Sequence, residues 1–274
     1  MIAHEGRISL VAENSRPSCI ASPGPELSTF VDFFWSYEGY AAPHAHERLL
    51  PTGKMGLFFT LDSKGGVAAG VSGAYSEAAM LDTSRPFSII GVQFKAGGGF
   101  PFFGGPSDEL HNCSVSLDQV WGATGASLRD RLWEAPTLQQ RFRIVEEALL
   151  ARRHDRLVPH GAVRYALAAF DRSTGAGRVH EVVTRIGISS RRFADVFRSE
   201  VGLSPKAFCR IRRFNEVLTR IERRSEVDWV DVASSCGYFD QAHFNHDFRA
   251  FSGLSPSDYL RDRISRLHVV AADR

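Results

Sequence analysis

Apolar and polar residues alternate with a helical period through the C-terminal part of the chain. Val179, Val182, Val183 and Ile186 sit at i, i+3, i+4 and i+7, one face of a helix. Gly187 follows, where a helix needs a left-handed residue to end. Ile188 then plugs a turn, and Ser189 or Ser190 caps a second helix. In that helix Phe193, Val196 and Phe197 face inward, and Arg191, Arg192, Asp195 and Arg198 are left outside. The design then recurs. Trp229, Val232, Ala233 and Cys236 face inward, Gly237 ends the helix, and Asp240 caps the next one. Phe244, Phe248 and Phe251 form its inner stripe, which leaves Gln241, His243, Asn245, His246 and Arg249 without a core role.

The recurrence extends to the letters. Gly202-Leu203-Ser204-Pro205 returns as Gly253-Leu254-Ser255-Pro256. Phe193, Phe197 and Phe208 return as Phe244, Phe248 and Tyr259. The offset is 50 residues before the turn and 51 after it, so the second copy has one more turn residue. A unit used twice, built as helix, tight turn, helix and stop, follows the helix-turn-helix plan. An all-α bundle without DNA would show the same periodicity. The repeated turn chemistry and the outward side chains favour the DNA reading.

The N-terminal half has another rhythm. Residues 30–37, 56–61 and 88–94 are aromatic and β-branched runs punctuated by Gly and Pro, which predicts strands. A barrel or sandwich over about residues 10–105 is expected, followed by helices. One of these starts with Thr137-x-x-Gln140, a candidate capping box, and carries Leu138, Phe142, Val145 and Leu149 inward. The fold class is therefore α+β, a β-rich N-terminal domain with trailing helices before an all-α C-terminal domain. The boundary is placed at 152–160.

Charge sharpens this division. Residues 188–224 hold ten Lys+Arg against four Asp+Glu. Residues 1–154 are net acidic and 155–274 net basic, although the whole chain is only +2. One nucleic-acid module beside one that is not fits that asymmetry. No apolar run is long enough to span a membrane, and the N-terminus lacks the apolar core of a signal peptide. Cys19, Cys113, Cys209 and Cys236 form no CxxC pair, so reduced thiols and a cytoplasmic location are expected.

The motif Gly237-Tyr238-Phe239-Asp240-Gln241-Ala242-His243-Phe244, with Phe248 and Gly253-Leu254-Ser255-Pro256-Ser257-Asp258-Tyr259, resembles the second helix-turn-helix of AraC-type bacterial transcription regulators. The resemblance covers residues 160–265. It implies a first unit at about 178–201, a linker helix at about 206–222 and a second unit at about 228–252. Phe208, Ile211, Phe214, Val217, Leu218 and Ile221 fit the linker, which would be roughly 25 Å long at 1.5 Å per residue. Residues 25–35, Leu50-Pro51-Thr52-Gly53 and the segment from Gly91 to Leu110 are similar to an uncharacterised domain that precedes such modules. It implies a sensory or oligomerising role for residues 1–154. That domain commonly has Pro-Asp-Gly where this chain has Pro51-Thr52-Gly53.

Roles divide by chemistry. Arg191 and Arg192 open the first recognition helix and suit guanine. Asp195 either accepts from cytosine or orients Arg191. Gln241 and Asn245 suit adenine, and His246 is a further base-contacting candidate. Ser190, Arg198, Arg210, Arg212, Arg213, His243 and Arg249 are assigned to the DNA backbone. Trp35, Phe59 and Phe94 are candidates for lining a ligand pocket, with core packing the competing reading.

The expected function is sequence-specific transcription regulation controlled by a small ligand or a partner at the N-terminal domain. The expected partners are double-stranded DNA, a small-molecule effector, a second copy of the chain and, for an activator, RNA polymerase. An effector-free dimeric regulator is one alternative. A metal-binding or enzymatic N-terminal domain fused to the DNA-binding module is another. His44-Ala45-His46-Glu47, with His111 as distant ligand, is the only metal pattern, and its acid is misplaced for a cupin site. No P-loop or Gly-x-Ser-x-Gly is present, so no enzyme, cofactor or metal is expected.

Overall fold

The computed structural model describes residues 18–40, 46–62, 66–82, 87–153, 158–172, 179–222 and 224–262. The N-terminal half contains β1 (Cys19–Ala21), β2 (Val31–Tyr40), β3 (His46–Leu49), β4 (Gly56–Asp62), β5 (Gly66–Ser72), β6 (Ala79–Asp82), β7 (Phe87–Phe94) and β8 (Ser114–Ser116). The three runs read as strands are β2, β4 and β7, and they are adjacent in space. The main sheet runs β1-β2-β7-β4-β5-β8 with antiparallel neighbours, and β3 and β6 form a separate ribbon. Among the described residues the six-stranded sheet is open. Its edge strands β1 and β8 have three residues each and pair only inward, and the β-rich N-terminal half followed by helices is the expected one.

A bulge decides which side of the sheet becomes core. Val31 pairs with Phe94 and Phe33 with Gln93, so Asp32 is the extra residue and the alternation shifts by one. Val31 and Phe34 therefore share one face, and Phe33, Trp35 and Tyr37 share the other. The first face adds Leu57, Phe59, Ile90, Val92 and Phe94 and is covered by helices. These are α1 (Phe100–Phe103), α2 (Leu117–Trp121), α3 (Ala123–Glu134) and α4 (Leu138–Arg152). Thr137 caps α4 by accepting from the Gln140 amide at 3.3 Å. The second face is filled at Gly91, where an added Cβ would lie 2.2 Å from the Trp35 ring.

The C-terminal half is helical: α5 (Gly161–Arg172), α6 (Val179–Ile186), α7 (Ser190–Val201), α8 (Pro205–Ile221), α9 (Trp229–Ser235) and α10 (Gln241–Ser252), with a further helix beginning at Pro256. Each helix-turn-helix turn is set by its glycine. Gly187 has φ +77° and Gly237 has φ +76°, values a Cβ disfavours. Ser189 then caps α7 through the Arg192 amide, and Asp240 caps α10 through the His243 amide. Phe193, Phe197, Phe208, Phe214, Phe244 and Phe248 fill one continuous core. Truncating one such phenylalanine costs about 3–5 kcal/mol.

That core crosses between the halves. Leu50 and Ala74, from N-terminal loops, belong to it. The Pro51-Thr52-Gly53 loop lies on α8: the Asn215 side-chain amide donates to the Pro51 carbonyl at 3.1 Å, and Gly53 faces Leu203, Phe208 and Ile211. Ser107, at the start of the 3-10 turn Ser107–Leu110, donates to the Glu200 carbonyl at 3.2 Å. Among the described residues no helix is long and apolar enough to cross a membrane.

Candidate nucleic-acid interface

Most polar side chains of the two second helices of the repeat face outward, beginning at their capped ends. On α7, Ser190, Arg191, Arg192, Asp195 and Arg198 are exposed. On α10, Gln241, His246 and Arg249 are exposed, and His243 and Asn245 are half-buried. A recognition helix meets base edges with its N-terminal residues, so Arg191 and Arg192 of α7 and Gln241 of α10 stand at the right ends. α8 separates the units by 17 residues, about 25 Å.

Several side chains are engaged in ways the periodic pattern did not foresee. Arg213, whose spacing points to phosphate, is only 7 % exposed. Its guanidinium lies 4.8 Å from the centroid of the Tyr238 ring. It packs the second turn against α8 and is not placed to contact the DNA backbone, because a buried cation stacked on an aromatic face is turned away from solvent. Arg210 is committed to Asp247, a carboxylate on α10 that is 1 % exposed. His243 Nε2 and His246 Nδ1 stand 3.7 and 3.6 Å from that same carboxylate. Asp195 pairs with Arg198 at 3.2 Å, so the expected orientation of Arg191 by Asp195 is not the arrangement found. Arg198 also pairs with Asp108 of the N-terminal half at 3.2 Å, and Arg212 with Asp171.

The ligand-lining candidates are not brought together. Phe59 and Phe94 are fully buried under the helices, and Trp35 lies on the opposite face with Phe33 and Tyr37. The pattern of large aromatics reflects core on both faces of one sheet. A cleft of about 880 Å³ opens elsewhere, between the halves, with Lys54 and Lys95 on one side and Arg164 and Arg212 on the other. Lys54 is paired with Asp32 at 2.6 Å. His44 lies outside the described residues, and His111 Nε2 is 2.9 Å from the Ser76 hydroxyl. Among the described residues no group of three metal-ligating side chains exists.

Two residues escaped the periodic reading. Glu200 is 6 % exposed, and both its carboxylate oxygens accept from the His160 amide, at 3.0 and 2.9 Å. This ties the start of α5 to the end of α7, and burial pushes the Glu200 carboxyl above its ordinary pKa. Phe239, in the turn before α10, is 92 % exposed. Its signal was present in the one-residue change of repeat offset.

The repeated unit is a helix-turn-helix module of the kind found in DNA-binding transcription regulators. Residues 182–262 match the family described as a helix-turn-helix domain, and residues 20–116 match a domain of unknown function, DUF6597. The chain thus carries an AraC-type helix-turn-helix module behind a DUF6597 domain. Among solved structures, it is similar to ToxT from Vibrio cholerae, with 9 % identity, 88 % of this chain and 95 % of that chain covered, and a TM-score of 0.41. A structure of unsaturated fatty acid bound wild-type ToxT from Vibrio cholerae strain SCE256 gives 9 % identity, coverage of 90 % and 96 %, and a TM-score of 0.40. No curated protein matches the chain.

Proposed function

We propose that this regulator reads double-stranded DNA with both recognition helices and that its N-terminal half governs the reading in response to a small ligand or a partner chain. The observation that supports the first part is the pair of capped helices α7 and α10, with exposed polar residues, held apart by the single helix α8. A rigid spacer of about 25 Å can hold the two helices about one DNA turn, roughly 34 Å, apart. Arg191 and Arg192 suit guanine, Asp195 cytosine, and Gln241 and Asn245 adenine, with His246 beside them. Ser190, Arg198, Arg210, His243 and Arg249 form the backbone-contacting set, with Arg210 also held by Asp247. Residues 1–154 act as the sensing or oligomerising part and 160–265 as the reading part.

Control by the N-terminal half is supported by its contacts with the reading half. The Pro51-Thr52-Gly53 loop lies on α8, and Asp108 holds Arg198 of α7. A small molecule seated in the cleft between Lys54 and Arg212 would touch both halves at once.

Selection of random duplex DNA by the purified chain at two salt concentrations tests the reading. Two enriched blocks about one helical turn apart are expected. Enrichment of a single block would remove one helix from base recognition, and no enrichment at either salt would overturn DNA reading by the protein alone. Thermal-shift screening with small carboxylates and phosphates then tests the effector. A regulator that answers to none of them and only dimerises would favour the effector-free form.

A further inference from the structure

We propose that Phe239 reads the C5-methyl group of a thymine at the edge of the segment bound by α10. The inference rests on the DNA-binding reading above and adds a specificity determinant to it.

The two copies of the unit carry the argument. Gly187 corresponds to Gly237 at an offset of 50, and the cap Ser189 to the cap Asp240 at an offset of 51. Between glycine and cap the first copy has one residue, Ile188, and the second has two, Tyr238 and Phe239. Ile188 packs against the core in the first copy, and Tyr238 is buried in the second. Tyr238 therefore takes the plugging role, and Phe239 is the inserted residue. Its ring is 92 % exposed and fills nothing. The first copy closes its turn and caps its helix without such a residue, so the fold does not call for an aromatic there.

The insertion stands immediately before the cap of the second recognition helix. That end of a recognition helix approaches base edges in the major groove. The groove's one apolar feature is the thymine methyl, and phenylalanine is among the side chains that contact it. Exposed Gln241 and Ala242 come directly after the cap Asp240, so a hydrogen-bonding group and a methyl open the same end of the helix. Burial against a thymine would give the ring the apolar partner it lacks in the protein.

Deoxyuridine, which is thymine without its methyl, isolates the contact. The full chain first selects its operator from random duplexes. Wild type, Phe239→Ala and Phe239→Leu are then titrated against that operator with each thymine replaced in turn. For wild type, one replacement in the α10 block weakens binding about fourfold, the worth of one buried methyl group. Phe239→Ala binds the intact operator about tenfold more weakly and is indifferent to that replacement, while Phe239→Leu retains part of the sensitivity. An unchanged melting temperature confirms that the exposed ring does not support the fold. The proposal is overturned if Phe239→Ala holds the operator as tightly as wild type, if it keeps the same sensitivity, or if no replacement affects wild type. Failure of wild type to enrich any sequence is a different result, and removes the DNA reading beneath the proposal.

Discussion

Arg210 reaches from α8 to α10 and sets both Nε and Nη2 on one carboxylate oxygen of Asp247, at 3.1 and 2.6 Å. Asp247 is buried on the inner side of the helix whose outer side carries Gln241 and His246. The pair therefore fixes the second recognition helix to its spacer. Arg210→Ala strands a buried carboxylate and is expected to cost about 3 kcal/mol, measured by urea unfolding. A loss below about 0.5 kcal/mol would mean that the pair does not anchor α10.

Three arginines should separate in salt titrations of DNA binding. Arg191→Ala loses about 1–3 kcal/mol at one base position and little elsewhere. Arg249→Ala weakens all sequences alike and lowers the salt slope by about one unit. Arg213→Ala leaves the slope unchanged and instead lowers the melting temperature, because its guanidinium packs on Tyr238 inside the protein.

Gly187 offers a strain test without a clash. Nothing lies within 4 Å of an added Cβ, and φ is +77°. Gly187→Ala should cost about 1–2 kcal/mol from backbone conformation alone. An unchanged unfolding midpoint would show that the turn between α6 and α7 relaxes freely.

Glu200 gives stability a pH dependence of known sign. Its folded pKa is raised, above all by burial, so the folded state holds this proton more tightly than the unfolded chain. Stability from this group is full below the ordinary pKa of a glutamate and declines as pH rises through the folded value. Glu200→Gln, which mimics the protonated form, should match wild type at acidic pH and melt higher at pH 8. Equal melting temperatures at both pH values would exclude a destabilising charge at this site.

Arg198 is claimed by Asp108 from the other half of the chain. The pair is half-exposed, so Asp108→Asn should change stability by less than about 1 kcal/mol. It should tighten DNA binding by up to about fivefold, since a carboxylate competing with phosphate is removed. Unchanged affinity would show that Arg198 does not reach the DNA backbone.

Legibility in the sequence followed how local each determinant was. The turns around Gly187 and Gly237, the caps Ser189 and Asp240, and the strands β2, β4 and β7 depend on neighbours within a few residues, and periodicity finds them. Arg213 and Arg210 sit at positions whose spacing looks outward, yet their partners Tyr238 and Asp247 come from a helix pair some 25 to 37 residues further on. The bulge at Asp32 is also set by pairing with β7, which the alternation of β2 alone does not reveal. Phe239 was visible as an offset change, but its meaning needed the burial of Tyr238 beside it.

Leu50 and Ala74 complete a core made mostly by residues beyond 160. The two halves therefore meet through apolar side chains as well as across the charged cleft between them. Lifting the N-terminal loops would strip apolar cover from the C-terminal core, where Gly53 faces Leu203, Phe208 and Ile211. Anything that tightens the N-terminal loops would then be felt along α8, the ruler that spaces the two reading heads.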